Sequence, residues 1–370
     1  MKAIIFTLSI GGGHNSVALA IKERLEMRKD ICEIVDLCSL IDDNRFSFIA
    51  QNVLKPDKSG YQAYDLIYDL SRNRLFSMLF NLYIPSFNCN NIRDKIIKSD
   101  SDIVIATHPY AVQLVTKLKR LRKIRLPLIS VVTDYIATYT YTSSEVDHYI
   151  VASDYTKGDL MNLGIYQNKI SACGIPIRKK FYNKNHIASK HLRIMLMSGM
   201  CGCLSMKDMA YDIIKNTNAS LKVIAGGDKQ LIKTLQNGFK EEIASSRLEI
   251  YEYVKNIDEL MDNSDLLITK PGGISITEAI IKNLPMIIPF RSSGQERYNA
   301  KFLEENHLAI VLDNKENLAS VINKLDMDEL KSKRKRLMQF SNQLDEDKAI
   351  DIIVSLANKK EGIYPSLQSI

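Results

Sequence analysis

The chain of 370 residues contains no tryptophan and only six cysteines, six histidines and nine prolines. Six cysteines scattered through a chain this long do not make a disulfide framework. The one close pair, Cys201 and Cys203 in "MCGCL", has no second pair to complete a metal site. A reduced, cytoplasmic protein is therefore expected. No apolar stretch approaches the roughly 18–20 residues a membrane span needs. The amino terminus carries Lys2 and a short apolar run but no small-residue cleavage site before its glycines, so no signal peptide is expected. Low complexity and short-period repeats are missing. So are basic stretches interleaved with aromatics and zinc-finger spacings, which argues against nucleic acid as a partner. Three Asp-X-Asp patterns occur, at 100–102, 326–328 and 345–347, but none lies in a glycine-rich loop at a strand end. Chance acidic spacing accounts for them, and no essential metal is expected.

What is present describes globular domains with sizeable cores: 45% of residues are apolar and 25% charged. The length suggests two domains. Short β-branched runs alternate with amphipathic stretches in the first half: "KAIIFTLS", "CEIVDL", "DIVIATH", "PLISVVTD", "HYIVAS" and "KISACG". A basic, proline-containing break follows at "GIPIRKKFYNKNHIASKH". The alternation then restarts with "LRIMLMSG", "LKVIAGG", "LEIYEYV", "DLLITK", "PMIIPF" and "LAIVLD". Strand–helix alternation of this kind predicts parallel, doubly wound sheets. The expected organisation is a Rossmann-like domain over 1–178, a second over 190–345 across a cleft from it, and a helical tail over 346–370.

In open α/β sheets, ligands bind beyond the carboxyl ends of strands. Five polar or glycine-rich elements stand at such ends here. "SIGGGHNS" places Gly11, Gly12, Gly13 and His14 after the first strand, where the glycines serve either a tight turn or a close backbone approach to a ligand. "THPY", with His108, and "TDY", with Asp134, follow two later strands. "KPGGISITEA" opens a helix on Gly272 and Gly273, which suits an anion, with Glu278 placed to accept from a vicinal diol such as a ribose. "GQERYNA" supplies Gln295, Glu296 and Asn299, groups suited to sugar hydroxyls or to a plain polar helix face.

Net charge is +7, and six basic residues crowd into positions 117–125: Lys117, Lys119, Arg120, Arg122, Lys123 and Arg125. They read as a solvated helix face, a nucleic-acid patch or a contact with an anionic membrane. The stretch 61–87 carries tyrosine, phenylalanine and leucine at helical spacing, as a buried or an interfacial helix would.

Taken jointly and in order from about residue 3 to 310, these motifs resemble a known family. "SIGGGHNSVALAI", "THPYAV", "VVTDY", "VDHYIVASDYTK", "GIPIR", "DLLITKPGGISITEAI", "LPMII" and "GQERYNAKFLEEN" are similar to the monogalactosyldiacylglycerol synthases and processive diacylglycerol glucosyltransferases. These are relatives of the peptidoglycan N-acetylglucosaminyltransferase. The resemblance implies a GT-B fold, with the UDP-sugar held mainly by the second domain. It implies that Glu278 meets the ribose, that Gln295 and Glu296 meet sugar hydroxyls, and that Gly272 and Gly273 lie at the diphosphate. It puts Tyr253 beside the uracil, where the family usually has phenylalanine. His14 is then the candidate base, Gly12 and Gly13 beside it are expected to bind the donor together with Asn299, and Asp134 is a reserve base or the orienter of His14. The chain departs from the family in reading "IATYTY" where a His and a Trp are usual, in the thinner loop "SGMCGCLSM", and in "IAGGDKQL".

The implied reaction is inverting transfer of glucose or galactose from UDP-glucose or UDP-galactose to diacylglycerol, with no cofactor beyond that substrate. An enzyme of this kind is expected on the inner face of the cell membrane, attached peripherally through the basic cluster and the apolar stretch 61–87. An N-acetylglucosaminyltransferase acting on a lipid-linked wall precursor, a UDP-sugar epimerase and a binding protein without turnover are the alternatives. A dinucleotide-dependent dehydrogenase fits poorly: Asp36 supplies its acid loosely, but "GGGHNS" misses the third glycine.

Overall fold

The computed structural model describes residues 1–9, 12–40, 68–73, 89–187, 189–197, 206–289, 294–313 and 317–359. Gly11, most of the 61–87 stretch and the 198–205 loop lie outside the described residues. Two compact units emerge, one from Met1–Lys179 with a return of the chain from Leu344, the other from Lys180–Gln343.

The first unit holds strands β1 (Lys2–Thr7), β2 (Ile31–Asp36), β3 (Ile103–Ala106), β4 (Leu128–Val131), β5 (His148–Val151) and β6 (Ile170–Ala172). Its helices are α1 (Gly13–Met27), α2 (Asn90–Ser99), α3 (Pro109–Arg120) and α4 (Asp154–Asn162). The strands form one parallel sheet in the order β2-β1-β3-β4-β5-β6. Every residue of β3 and β4 is buried, because a parallel sheet is covered on both faces. That is why these strands read as continuous apolar runs. One core cluster contains Phe6, Val104, Leu118 and Tyr149. Strand β2 lies to one side of β1 and β3 to the other, so the chain reverses direction across the sheet between β1 and β3. The ends of those two strands flank the crevice where such sheets bind ligands.

The second unit repeats the plan with β7 (Arg193–Met197), β8 (Ser220–Ile224), β9 (Leu248–Tyr251), β10 (Leu266–Thr269), β11 (Met286–Ile288) and β12 (Ile310–Val311). Between and after them run α5 (Met206–Asn216), α6 (Lys229–Gly238), α7 (Lys240–Ala244), α8 (Ile257–Asp262), α9 (Gly273–Ile281), α10 (Gln295–Glu305), α11 (Leu318–Lys324) and α12 (Met327–Ser341). The sheet is again parallel, in the order β12-β11-β10-β7-β8-β9, so its switch point falls between β7 and β10. Both units are therefore α/β and Rossmann-like.

Helix α13 (Glu346–Asn358) belongs to the first unit. Arg24 of α1 reaches Asp347 at 3.1 Å and Arg28 reaches Asp351 at 2.6 Å, while the Asp345 amide donates to the Cys173 carbonyl at 3.1 Å. The described part of the segment expected as a tail thus packs on the domain from which the chain began. Paired charges 323 residues apart give no local signal of this.

Candidate functional site

At the switch point of the first sheet, α1 begins on Gly12 with no side chain capping it. The first-turn amides of such a helix are unsatisfied, and its positive end is open. Asn15 ties the turn to the strand: its Oδ1 accepts from Thr7 and its Nδ2 donates to Ser9, both at 2.8 Å. His14, half-buried, turns back onto the sheet. Its Nδ1 is 2.7 Å from the Thr107 carbonyl, at the end of β3, and 3.0 Å from the Thr133 hydroxyl, beyond β4. A carbonyl only accepts, so the ring hydrogen sits on Nδ1 and the lone pair on Nε2. Burial lowers the His14 pKa to about 4, with the Thr107 carbonyl opposing part of that shift. The ring is therefore neutral near pH 7.

His108 stands next to it. It caps α3, with Nδ1 accepting from the Tyr110 amide at 3.1 Å. Burial, then the neighbouring His14, holds its pKa well below the ordinary histidine value. The Thr107 hydroxyl is buried and has no hydrogen-bond partner among the described residues. Asp134, half-buried, follows directly on Thr133. The groups that orient His14 through Nδ1 are the uncharged Thr107 and Thr133, neither of which the sequence marked as more than part of a strand-end motif. In "IATYTY", the Tyr141 hydroxyl lies 3.4 Å from Thr133, and buried Gln113 holds this turn by donating to the Thr140 and Thr142 carbonyls. Asp159 accepts from the Ala137 amide of the same loop, and burial raises its pKa while Arg72 opposes the rise. Asp36 accepts from the Ser9 and Cys38 amides, a loop-tying role in place of a ribose contact.

At the switch point of the second sheet, α9 begins on Gly272, again without a capping side chain. Helix α10 begins on Gly294 in the same way. Ser153, Asp228, Asn317, Asp326 and Asp345 cap their helices, whereas α2, α7 and α8 start on Cys89, Phe239 and Asn256 without a side-chain cap, so what sets α1, α9 and α10 apart is a glycine at the start. Uncapped, glycine-started helices at strand ends are ready anion sites. The far end of α9 is anchored by Lys282, almost wholly buried and 2.6 Å from Asp262. Two contacts join the Pro-Gly-Gly loop to α10: Lys270 Nζ lies 2.7 Å from Glu296 Oε1, and Asn299 Nδ2 donates to the Pro271 carbonyl at 3.0 Å. A Cβ on Gly272 would stand 4.0 Å from Glu296. Gly272, Gly273, Glu296 and Asn299 are thereby brought together. Gln295 lies half-buried on the first turn of α10, and Glu278 half-buried on the second turn of α9. Tyr253, 85% exposed, follows β9, three strand spacings or about 14 Å from β10.

Two of the expected site residues have protein partners of their own. Asn299 is fully buried, and its amide donates to the Pro271 carbonyl, a contact that shapes the loop. Lys119 is drawn into an ion pair with Asp147, which also accepts from the Leu128 amide, and leaves the exposed basic surface. Arg120, Arg122, Lys123 and Arg125 remain exposed and Lys117 is half-buried. The cluster's position is also informative. Helix α3 starts at the carboxyl end of β3 and runs 12 residues, about 18 Å, to the opposite edge of the sheet. The basic residues at its end and His14 at its start therefore occupy opposite ends of the unit. The Asp-X-Asp patterns are structural: Asp100 and Asp102 meet Lys2, Asp326 and Asp345 cap helices, Asp328 pairs with Lys331 and Asp347 with Arg24.

Comparison with known proteins bears on both sites. The family described as monogalactosyldiacylglycerol (MGDG) synthase matches residues 14–177, and the glycosyltransferase family 28 C-terminal domain matches 206–353. The processive diacylglycerol beta-glucosyltransferase of Bacillus licheniformis is 30% identical over 346 residues, covering 89% of this chain and 87% of the relative. That of Bacillus subtilis is 29% identical over 341 residues, with the same coverage. Among solved structures, Acinetobacter baumannii MurG superposes with a TM-score of 0.60 at 14% identity, over 97% of this chain and 100% of MurG. Anabaena Alr3699/HepE, solved in complex with UDP, gives 0.56 at 13% identity over 97% and 100%. At such identities these two likenesses speak for the fold alone.

Proposed function

Since the chain belongs to the GT-B family of monogalactosyldiacylglycerol synthases and processive diacylglycerol glucosyltransferases, we propose that it transfers glucose or galactose from a UDP-sugar to diacylglycerol at the membrane surface. The observation that carries this reading is the state of His14: neutral, hydrogen on Nδ1, lone pair on Nε2, at the switch point of its sheet. Inverting transfer needs a base for the acceptor hydroxyl as the anomeric carbon is attacked from the face opposite the diphosphate. A neutral imidazole in a fixed tautomer is such a base. The leaving diphosphate needs stabilisation, and the uncapped start of α9 with Gly272, Gly273 and Lys270 supplies amides and positive charge. Glu278 accepts from the ribose diol, Tyr253 stacks on the uracil, and Gln295 and Glu296 receive the sugar. Gly12 and Gly13 allow close approach at the start of α1, and Asp134 stands in reserve as a second base.

Among the described residues no helix is long and apolar enough to cross a membrane. Diacylglycerol leaves a bilayer at about 0.8 kcal/mol per CH₂, so the enzyme must work at the surface. Incubating the pure protein with labelled UDP-glucose or UDP-galactose and diacylglycerol vesicles tests the reading. Label in the lipid phase is expected from one donor or both. Transfer only to a lipid-linked wall precursor, or UDP-sugar binding with no transfer, would refute it.

A further inference from the structure

Two imidazoles meet at the first switch point, and the reaction as derived uses only one. The His14 and His108 ring centroids are 4.4 Å apart, with planes at 73°. On its other side His108 stacks on Tyr110 at 5.4 Å and 28°, and its Nδ1 is held by the Tyr110 amide, so this ring has little freedom. The backbone partners dictate opposite hydrogen placements. The Thr107 carbonyl requires a hydrogen on His14 Nδ1. The Tyr110 N–H requires a lone pair on His108 Nδ1, which puts that ring's hydrogen on Nε2. Each Nε2 lies across its ring from the engaged nitrogen, and neither has a hydrogen-bond partner among the described residues. The pair thus offers a ligand one accepting and one donating nitrogen from adjoining rings. Burial keeps both rings uncharged, so the polarity of the pair is stable near neutral pH.

We propose that His108 is an acceptor-binding residue whose Nε2–H donates to an oxygen neighbouring the hydroxyl that gives its proton to His14 Nε2. The proposal rests on the transferase reading above and deepens it. A glycerol backbone presents this pattern, a hydroxyl beside an ester oxygen, and so does the vicinal diol of a sugar. During transfer the hydroxyl oxygen bonds to the anomeric carbon as its proton passes to His14 Nε2. The bond from that carbon to the diphosphate oxygen breaks, and its electron pair leaves with UDP. His108 keeps its single proton throughout, because a second one on Nδ1 would face the Tyr110 N–H. Its part is to orient the acceptor and to select for a second oxygen.

His108→Asn provides the test, since asparagine can still accept at the start of α3 while the far N–H is lost. The wild type should prefer diacylglycerol over a long-chain primary alcohol in the same vesicles by about 10- to 100-fold in kcat/KM. The variant should bring that ratio to within about threefold of unity, with UDP affinity unchanged. Equal losses on both acceptors, with the preference intact, would overturn the proposal. Nitrogen NMR of the wild-type imidazoles decides it without any variant or turnover: His108 should carry hydrogen on Nε2 and His14 on Nδ1, and hydrogen on His108 Nδ1 would overturn it. If another hydroxylated compound proves to be the acceptor, the ratio is taken between it and its analogue lacking the neighbouring oxygen. The diacylglycerol reading then fails while the proposal for His108 is still decided.

Discussion

At the switch point of the first sheet the candidate side chains are uncharged: two imidazoles fixed by a carbonyl and an amide, with threonine hydroxyls around them. At the switch point of the second there is no imidazole; glycines open the helices, and Lys270 and Glu296 form an ion pair beside them. The two sheets share a parallel, doubly wound plan with one reversal of direction each. The fold therefore supplies a place, and residue chemistry decides its use. Desolvated, neutral histidines suit moving a proton. Bare helix starts with a lysine beside them suit holding an anion.

The sharpest way to break this comparison is to remove the proposed proton carrier. His14→Ala should lower turnover by about 10²–10⁴ while UDP affinity barely moves. Normal turnover would shift the base to Asp134, and lost UDP binding would make His14 a donor contact. Acidification probes the same group. Its folded pKa of about 4 lies below the ordinary 6.5, so the unfolded chain takes up the proton first. The stability contribution is full above 6.5 and is lost as pH falls towards 4, and the acid limb of kcat/KM should lie near 4. A limb at 6.5 would mean an exposed, ordinary histidine.

On the donor side, Glu278→Gln should weaken UDP binding by about 1.5–3 kcal/mol, the range for hydrogen bonds to a charged group. Calorimetry with UDP alone reads this, and unchanged affinity in a folded variant would reduce Glu278 to a helix-end charge. Asn299→Ala, which leaves the buried Pro271 carbonyl without its donor, should cost about 1–3 kcal/mol of stability in denaturant unfolding. A variant as stable as wild type would contradict the positioning role.

The smallest effect on catalysis is expected at the basic end of α3. Replacing Arg120, Arg122 and Lys123 with Gln should weaken binding to anionic vesicles, by about 1 kcal/mol per charge, and the attachment should fall with salt. Turnover on diacylglycerol presented in detergent micelles should not change, because this patch and His14 sit at opposite ends of the unit. Equal binding to neutral vesicles would remove the electrostatic contribution.

All twelve runs taken from the sequence as strands are strands, because a sheet buried on both faces writes itself as short β-branched runs. The placement of His14, Gly272 and Gly273 at strand ends was legible for a related reason: glycine beside a polar group where a strand gives way to a helix is a local pattern. Thr107 was not, since its contribution to His14 is a backbone carbonyl 93 residues away, and any residue type has one. Thr133, 119 residues from His14, needed the fold as well. The burial of Asn299 and the pairing of Lys119 with Asp147 depend on tertiary neighbours in the same way. Polar side chains look alike in sequence whether they meet a ligand or hold a loop.

The most direct test is the stereochemistry of one product. The protein is incubated with α-linked UDP-glucose or UDP-galactose and diacylglycerol vesicles, and the anomeric configuration of the glycolipid is read by NMR. A direct displacement assisted by His14 predicts a β-linked sugar on the glycerol hydroxyl. An α-linked glycolipid, or free sugar released to water with no glycolipid, would contradict it.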